Sequence, residues 1–193
     1  MKSSTEKLLD ALAEMLKRMP IDQVKISELL KISSVSHSTF YRDFPTKDDF
    51  YSWVLKYYLN GLSSMSFKNA ATPEDFYTHY FNFIYDNRLF FKTFANQAIW
   101  PQFNYYLYQM GVERYSVILK QAFKSPKDAN LISNYVVHAH VGVVLEWLKE
   151  EPMTRPEILV SRVTAMTKAA LSSQKIDMSK LFPNNFNKSS NYS

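Results

Sequence analysis

With 193 residues and a formal net charge of +5, the chain can form one sizeable domain or a small domain fused to a medium one, and it suits an anionic partner. Its lack of cysteine excludes disulfides and thiolate metal sites. Because it shows neither an apolar signal core near its start nor an apolar run of membrane-spanning length, we expect a cytoplasmic protein without a membrane partner.

Helical patterning extends over most of the sequence. Glycine (3) and proline (8) are scarce, and no run of alternating β-branched residues lies between turn clusters. These features predict an all-α protein of about nine helices. Aromatic residues make up 16% of the chain and concentrate in its middle, so we expect a core or a cavity rich in rings there.

The first two helices follow from apolar periodicity. Residues 5–19 place apolar side chains at three- and four-residue steps, and Pro20 ends this helix. The second helix directs Ile26 and Leu29 inward and leads into a turn at residues 32–35.

Capping residues locate the next two helices. Ser36 is a good N-cap, and the helix that it opens must end before Pro45, because a proline disfavours the helical conformation of the residue before it. Thr46, with Asp49 three residues later, forms something close to a capping box for a fourth helix that reaches about Phe67.

The rest of the chain predicts a helical body. Thr72 and Pro73, followed by two acidic residues, are a strong helix start. Helices are expected over residues 73–96, in one or two pieces over 103–123, over 128–149, and from Pro156 onward. Residues 68–71 form a short linker, and the polar residues 184–193 form a disordered tail.

The segment from Ile26 to Phe44 is typical of a helix-turn-helix, in which one helix enters a DNA major groove while the other braces it. Phe40 and Phe44, four residues apart, would form the inward face of the reading helix. The outward side chains offer hydroxyls, an imidazole, a phenol and a guanidinium to phosphates or base edges. The predicted DNA-contacting residues are Ser36, His37, Ser38, Thr39, Tyr41, Arg42 and, on the next helix, Lys47. An ordinary helical hairpin is the alternative.

Residues 35–50 read Val-Ser-His-Ser-Thr-Phe-Tyr-Arg-Asp-Phe-Pro-Thr-Lys-Asp-Asp-Phe. This segment resembles the signature of the TetR family of transcriptional regulators. This resemblance covers about the first 60 residues. A weaker resemblance, over Tyr80–Phe91 and Gly142–Glu157, is to the subgroup that contains a dihydroxyacetone-kinase operon activator.

The resemblance implies two parts. Residues 1–62 would form a three-helix DNA-binding domain, with the helix-turn-helix at about 25–44. Residues 63–183 would form a helical bundle for ligand binding and dimerisation. The family further implies a homodimer on a pseudo-palindromic double-stranded DNA operator, and a small-molecule effector.

Two positions depart from the family pattern. Ser34 stands where the turn usually has glycine, at a position that often takes a positive φ, so we expect a slightly altered turn. Lys25 stands where a threonine often opens the first helix of the motif. It cannot cap in the same way, but its ammonium can serve a phosphate, and Lys25 joins the predicted DNA contacts.

The aromatic stripes between residues 76 and 108 have two interpretations. Such rings usually form plain core, whereas the resemblance implies that some of them line a pocket, and an apolar cavity suits a hydrophobic ligand. The predicted pocket residues are Tyr80, Phe83, Phe91, Trp100, Tyr105 and His138.

The sequence predicts neither a cofactor nor a metal site. His138 and His140 are two residues apart and project from different sides of a helix, which argues against a shared metal ion. The chain contains no glycine-rich phosphate loop, nucleophile elbow or helix-borne metal motif, so nothing indicates an enzyme.

Small residues near the C-terminus predict a close helix contact. Ala139 and Gly142 lie three residues apart and permit close approach. Together with the apolar face from Leu159 to Ala170, they would form a four-helix seam between two protomers. Packing of the same faces inside one protomer is the alternative.

The leading hypothesis is a sequence-specific transcriptional regulator, namely a repressor that a small molecule releases from DNA by a population shift. The helix from Lys47 to about Phe67 belongs to both parts of the chain and is the natural lever. Two alternatives stay open: a co-regulator or activator that acts through a protein partner, and a helical carrier of a hydrophobic small molecule.

Overall fold

A computed structural model describes residues 2–67, 70–96, 100–120, 122–123 and 125–181. These residues form nine α-helices and two short 3-10 helices, and no strand occurs among them. The α-helices are α1 (Ser4–Leu16), α2 (Ile26–Ser33), α3 (His37–Asp43), α4 (Lys47–Phe67), α5 (Pro73–Asp86), α6 (Arg88–Phe94), α7 (Phe103–Leu119), α8 (Pro126–Trp147) and α9 (Pro156–Ser173). The all-α prediction is confirmed. The predicted tail at 184–193 and part of the predicted linker lie outside the described residues.

Local hydrogen bonds begin several helices where the sequence predicts. The Ser36 hydroxyl accepts the Thr39 amide at 3.1 Å. Thr46 and Asp49 each accept the other's amide, at 3.1 and 3.0 Å, and Thr72 caps α5. Each bond satisfies an amide that the first turn of a helix leaves without an intrahelical partner. All three predicted starts are confirmed.

The head of the molecule comprises α1, α2, α3 and the first turns of α4. α1 packs on α2, and Leu12 and Leu29 on these two helices have no accessible surface. Full burial of a leucine contributes roughly 1.5–3 kcal/mol. α1 ends at Leu16, shortly before the predicted Met19, and Pro20 prevents its continuation.

The body comprises the rest of α4 and the helices that follow it. α4 is one helix from Lys47 to Phe67 and packs against α5. Gly61 permits their close approach, because a Cβ at this position would lie 2.7 Å from the Phe83 ring. The predicted domain boundary at residue 62 falls within α4, so the division into two parts stays a prediction.

The predicted helix over residues 73–96 is interrupted, which corrects the sequence prediction. Asn87 has φ −106° and ψ 22°, and it separates α5 from α6. Its side-chain amide donates to the Phe83 carbonyl at 2.8 Å, and the Arg88 guanidinium donates to the Tyr85 carbonyl at 3.0 Å. Side chains thus compete with backbone amides for the carbonyls at the end of α5, which favours a break there.

The body is organised around α5. This helix contacts α4, α6 and α9, while α7 pairs with α8. Phe81 of α5 meets Trp147 of α8 edge to face, with ring centroids 5.6 Å apart, and both side chains are buried. The predicted one or two helices over 103–123 are a single helix, α7.

Candidate nucleic-acid interface and interior site

Two serines shape the turn between α2 and α3. Ser34 follows α2 in the left-handed region, at φ 56° and ψ 29°, which is unfavourable for a residue with a Cβ. The Ser33 hydroxyl donates to the Leu30 carbonyl and accepts the Val35 amide, both at 3.3 Å. The backbone therefore keeps the positive φ that glycine commonly supplies at this position, and Ser34 carries the conformational cost.

Aromatic packing fixes α3 on the head. Phe40 has no accessible surface, and its ring centroid lies 5.5 Å from that of Phe44 and 5.4 Å from that of Phe50. Edge-to-face and tilted ring pairs add about 0.5–1.5 kcal/mol each to the burial term. α3 is only seven residues long, so this packing rather than its own hydrogen bonds holds its orientation.

The outer face of α3 is polar. Ser36, His37 and Ser38 are exposed, Thr39 is half-buried, and 49% of Tyr41 is exposed. The rings of His37 and Tyr41 stack at 6.3 Å. The Ser36 hydroxyl lies 3.0 Å from that of Ser38 and 2.9 Å from that of Thr39, so a DNA contact through these hydroxyls competes with bonds inside the cap.

Arg42 is exposed at the end of α3 and pairs with its neighbour. Its Nε and Nη2 donate to the Asp43 carboxylate at 2.9 and 3.3 Å, and this pairing raises the pKa of Arg42 above its ordinary value. An ion pair in open solvent is weak. A phosphate can therefore replace Asp43 as the partner of the guanidinium.

The Lys47 ammonium lies against the backbone that precedes Lys25. The Lys47 ammonium donates to the Val24 carbonyl at 2.7 Å and lies 5.3 Å from the centroid of the Tyr51 ring. An ammonium has three donors, so two remain for a phosphate. Lys25 directly follows Val24, is exposed and makes no side-chain cap for α2. Lys47 is thus bonded to the residue that directly precedes Lys25.

The body contains a small, mostly apolar cavity of about 40 Å³ between α4, α5, α7 and α8. This space suits about three water molecules, whereas pockets for drug-sized ligands measure about 300–1,000 Å³. A larger ligand therefore requires movement of the walls. The lining residues are Leu62, Ser63, Phe76, Tyr77, Tyr80, Leu107, Met110, Gly111, Tyr115, Val137, His140 and Val141.

Of the predicted pocket residues, Tyr80 lies on the wall of this cavity. Phe91 and Trp100 are buried elsewhere in the core, and Phe83 packs against α4 at Gly61. The other two lie on the surface: 60% of Tyr105 is exposed, and His138 is exposed with its ring stacked on Tyr108 at 4.3 Å. A contact between a ligand and any of the six stays a prediction.

A buried polar cluster borders the cavity and joins four helices. The Tyr77 hydroxyl of α5 lies 2.9 Å from the Tyr115 hydroxyl, 2.9 Å from His140 Nε2 and 3.2 Å from Thr167 Oγ1. The contact between His140 Nε2 and Thr167 Oγ1 measures 2.9 Å. Burial lowers the pKa of His140 to about 4, so its ring is neutral at pH 7.

The sequence interpretation did not single out this cluster. His140 and His138 do project from different sides of α8, as predicted. The signal that would have helped is the position of His140 among Val137, Val141 and Val144, since a polar ring on an apolar face needs a buried partner. Within the described residues, no three His, Asp or Glu side chains are placed to hold a metal ion.

The predicted dimer seam is only partly at the surface. Leu159 and Val163 of α9 are buried within the protomer, so that part of the face packs internally, as the alternative proposed. The large apolar side chains of α9 that are exposed are instead Ile158, with 46% of its surface accessible, and Met166, with 58%. Gly142 of α8 faces open space, because nothing lies within 4 Å of a Cβ placed there.

The sequence profile of a transcriptional regulator C-terminal region, of the TetR class, matches residues 71–169, which are half of the chain. The chain belongs to the TetR family of transcriptional regulators. No curated protein matches its sequence.

Solved structures share the fold of this TetR family member. The dihydroxyacetone kinase operon activator DhaS is 15% identical, with a TM-score of 0.72 over 88% of this chain and 97% of that one. A TetR transcriptional regulator from Streptococcus agalactiae 2603V is 14% identical, with a TM-score of 0.59 over 85% of this chain and 93% of the other. Identities this low support a common fold and no more.

None of the helices in the described part of this TetR regulator is both long enough and apolar enough to cross a membrane. α8, with 22 residues, is the longest of them. It carries Asp128 in its first turn and buries a histidine, and polar groups of this kind are costly in a lipid core.

Proposed function

We propose that this TetR family member is a sequence-specific DNA-binding regulator that reads double-stranded DNA with α3. The observation that carries the proposal is the outer face of α3, whose exposed His37, Ser38 and Tyr41 lie over the inaccessible Phe40. One α-helix fits a major groove of about 12 Å, and a helix braced in this way can hold a fixed angle there. Ser36, Thr39 and Arg42 are further contacts in this proposal.

The proposed active form is a homodimer on a pseudo-palindromic operator. Family membership supports it, and so do the exposed Ile158 and Met166 near the open Gly142. A second copy would cover these side chains with its own α8 and α9. The dimer would hold two α3 helices about 34–36 Å apart, which places them in successive major grooves.

The proposed activity is cytoplasmic repression that a small molecule relieves. α4 supports this mechanism, because it begins with the candidate phosphate contact Lys47 and later contributes Leu62 and Ser63 to the cavity wall. A ligand that widens the cavity would displace α4 and change the spacing of the heads. Only a difference in ligand affinity between the two arrangements can shift their populations.

Selection from a random DNA pool, followed by gel shift of the recovered site at several salt concentrations, tests DNA reading. We expect a pseudo-palindromic site. Lys47→Ala should weaken binding to all sequences and reduce the salt slope by about one. Lys127→Ala, an exposed lysine at the start of α8, is the matched control and should leave the slope unchanged. If the protein selects no DNA site from the pool, the proposal is contradicted. If the salt slope of Lys47→Ala equals that of the parent chain, Lys47 is not a phosphate contact.

A reporter gene downstream of the recovered operator tests the direction of control. Expression should fall when the regulator is produced, and an effector should restore it. The same effector, added at saturation to the gel shift, should lower operator affinity. Equal affinity with and without effector at every salt concentration would contradict relief by ligand.

Activation through a protein partner is the second candidate. This chain shares its fold with the dihydroxyacetone kinase operon activator DhaS over 97% of that chain, and activation is compatible with this fold. The reporter separates the two candidates, because an activator raises expression. If the purified chain shifts its operator only after a cell extract is added, a partner is required.

A further inference from the structure

The hydroxyls of the polar cluster beside the cavity bond to one another and to His140. The hydroxyls of Tyr77, Tyr115 and Thr167 bring one proton each, and together with His140 Nε2 they make four contacts of 2.9 to 3.2 Å. A neutral ring nitrogen either donates or accepts. The hydroxyls of Tyr77, Tyr115 and Thr167 are therefore engaged inside the cluster.

Tyr80 supplies a hydroxyl that is not committed to the cluster. It lies one helical turn after Tyr77 on the cavity wall, and its hydroxyl makes no hydrogen bond among the described residues. Phe76 stacks on its ring at 6.0 Å, and Phe81 meets it edge to face at 5.2 Å. The ring is thus held in place, while a phenol in such a position normally has a polar partner.

Among the residues that the structure describes, none of those lining the cavity is Asp, Glu, Lys or Arg. Burial raises the pKa of Tyr80 and Tyr115, and it lowers that of His140 to about 4, so the titratable groups of the wall are neutral at pH 7. An ionised ligand would lose its water without gaining a counter-charge, which is strongly unfavourable. The wall therefore selects against both anions and cations.

We propose that this cavity binds a small uncharged molecule with a hydrocarbon body and one polar group, and that this group forms its hydrogen bond with the Tyr80 hydroxyl. The inference rests on the proposed regulation by an effector and adds the chemical class of that effector. Because the cavity is about 40 Å³, a molecule the size of phenol must displace part of the wall. Met110 is the side chain that can yield most readily, since methionine is unbranched and flexible.

Isothermal titration of the full chain with phenol, toluene and benzoate tests the inference. Phenol and toluene match in shape and differ in one polar group, while benzoate adds a negative charge. We expect saturable binding of phenol, binding of toluene that is about three- to tenfold weaker, and no saturable binding of benzoate. Absence of phenol binding, or benzoate binding as tight as that of phenol, would overturn the inference.

Two tyrosine variants assign the hydrogen bond. Tyr80→Phe should weaken phenol binding to the level of toluene and leave toluene binding unchanged. Tyr85→Phe is the matched control, because Tyr85 lies on the same helix, stacks on Trp147 and does not line the cavity; it should bind phenol as the parent chain does. If Tyr80→Phe retains the affinity of the parent chain for phenol, Tyr80 is not the recognition residue and the inference fails.

A third variant locates the ligand. Ser63→Leu adds carbon atoms to the cavity wall and should abolish binding of phenol and toluene while the far-ultraviolet circular dichroism persists. Unchanged phenol binding in this folded variant would place the ligand elsewhere and overturn the inference. Operator shift of the ligand-free chain is measured in the same preparations, so a failure of ligand binding is distinguishable from a failure of DNA binding.

Discussion

The head and the body use aromatic rings in opposite ways. Behind α3, the buried rings are hydrocarbon: Phe40, Phe44 and Phe50 pack on one another with centroids 5.1 to 5.5 Å apart. Beside the cavity, the buried rings carry polar atoms, and Tyr77 and His140 meet at 2.9 Å. Around α3 the head buries carbon and exposes hydroxyls, whereas beside the cavity the body buries hydroxyls.

The two kinds of buried ring suit two different tasks, which are holding a fixed orientation and responding to a ligand. A close-packed hydrocarbon core has one favourable arrangement, because any gap loses contacts outright, and a fixed arrangement is what a DNA-reading helix needs. In a buried polar cluster the hydrogen bonds polarise one another, so a change in one partner affects all of them. The body is therefore the better place for a response to a ligand.

The largest expected effect tests rigidity of the head. Phe40→Ala should lower the free energy of unfolding by about 3–5 kcal/mol, since it removes a ring that has no accessible surface and leaves a void. Urea unfolding followed by circular dichroism measures the loss. Tyr41→Phe, at a half-exposed neighbour, should change the free energy by less than about 0.5 kcal/mol.

A small effect of Phe40→Ala would contradict the comparison, because it would mean that the head can collapse around the missing ring. A large effect of Tyr41→Phe would place the Tyr41 hydroxyl in the packing of the head rather than on its exposed outer face. Either result would remove the reason to treat α3 as a rod of fixed orientation.

The next effect tests the body by acid. The folded chain holds the pKa of His140 at about 4, below the ordinary 6.5, so the unfolded chain takes up the proton first as the pH falls. The stability that the neutral ring contributes is complete above pH 6.5 and is lost between about pH 6.5 and pH 4, to a total of roughly 3 kcal/mol.

Urea unfolding at pH 7, 5.5 and 4 measures this loss, and His140→Gln is the comparison that removes the titrating ring. Carboxylates also respond to acid, so the informative quantity is the difference in slope between the parent chain and the variant. Parallel slopes would mean that folding does not lower the pKa of His140 and that water reaches the cluster.

A smaller effect tests the centre of the cluster. Tyr77→Phe removes the hydroxyl that contacts Tyr115, His140 and Thr167 and leaves buried polar atoms short of partners. We expect a loss of about 1–3 kcal/mol in the free energy of unfolding. Tyr85→Phe, whose hydroxyl makes no bond among the described residues, should be nearly neutral. Equal changes in the free energy of unfolding in the two variants would show that the hydrogen bonds of the cluster do not stabilise the fold.

Head and body also differ in how far the sequence predicts them. The capping serine and threonines at Ser36, Thr46 and Thr72 were predictable, because a cap depends on side chains within three residues of one another. The inward Phe40 was predictable for the same reason: helical spacing fixes which side of a short helix is apolar.

The body depends on contacts that are distant in the sequence. Asn87 interrupts a run of helical periodicity through one side-chain bond, which apolar spacing does not reveal. The cavity wall contains Tyr77 and His140, 63 positions apart, whereas the predicted Trp100 and Tyr105 lie elsewhere. Which ring of a wide apolar helix meets a cavity depends on how α5, α7 and α8 pack, and no local rule supplies that.

The smallest expected effect concerns the turn that presents α3. Ser34 has φ 56° without the freedom of glycine, and the left-handed conformation costs a residue with a Cβ about 1–2 kcal/mol. Ser34→Gly removes that cost but gives the unfolded chain more freedom, which offsets about 0.5–1 kcal/mol. The expected net gain is therefore about 0.5–1 kcal/mol in urea unfolding. Ser161→Gly, at an exposed position inside α9, should instead lose about 0.5 kcal/mol. If both glycines destabilise the chain alike, the turn tolerates Ser34 without strain, and the rigidity of the head comes from its rings alone.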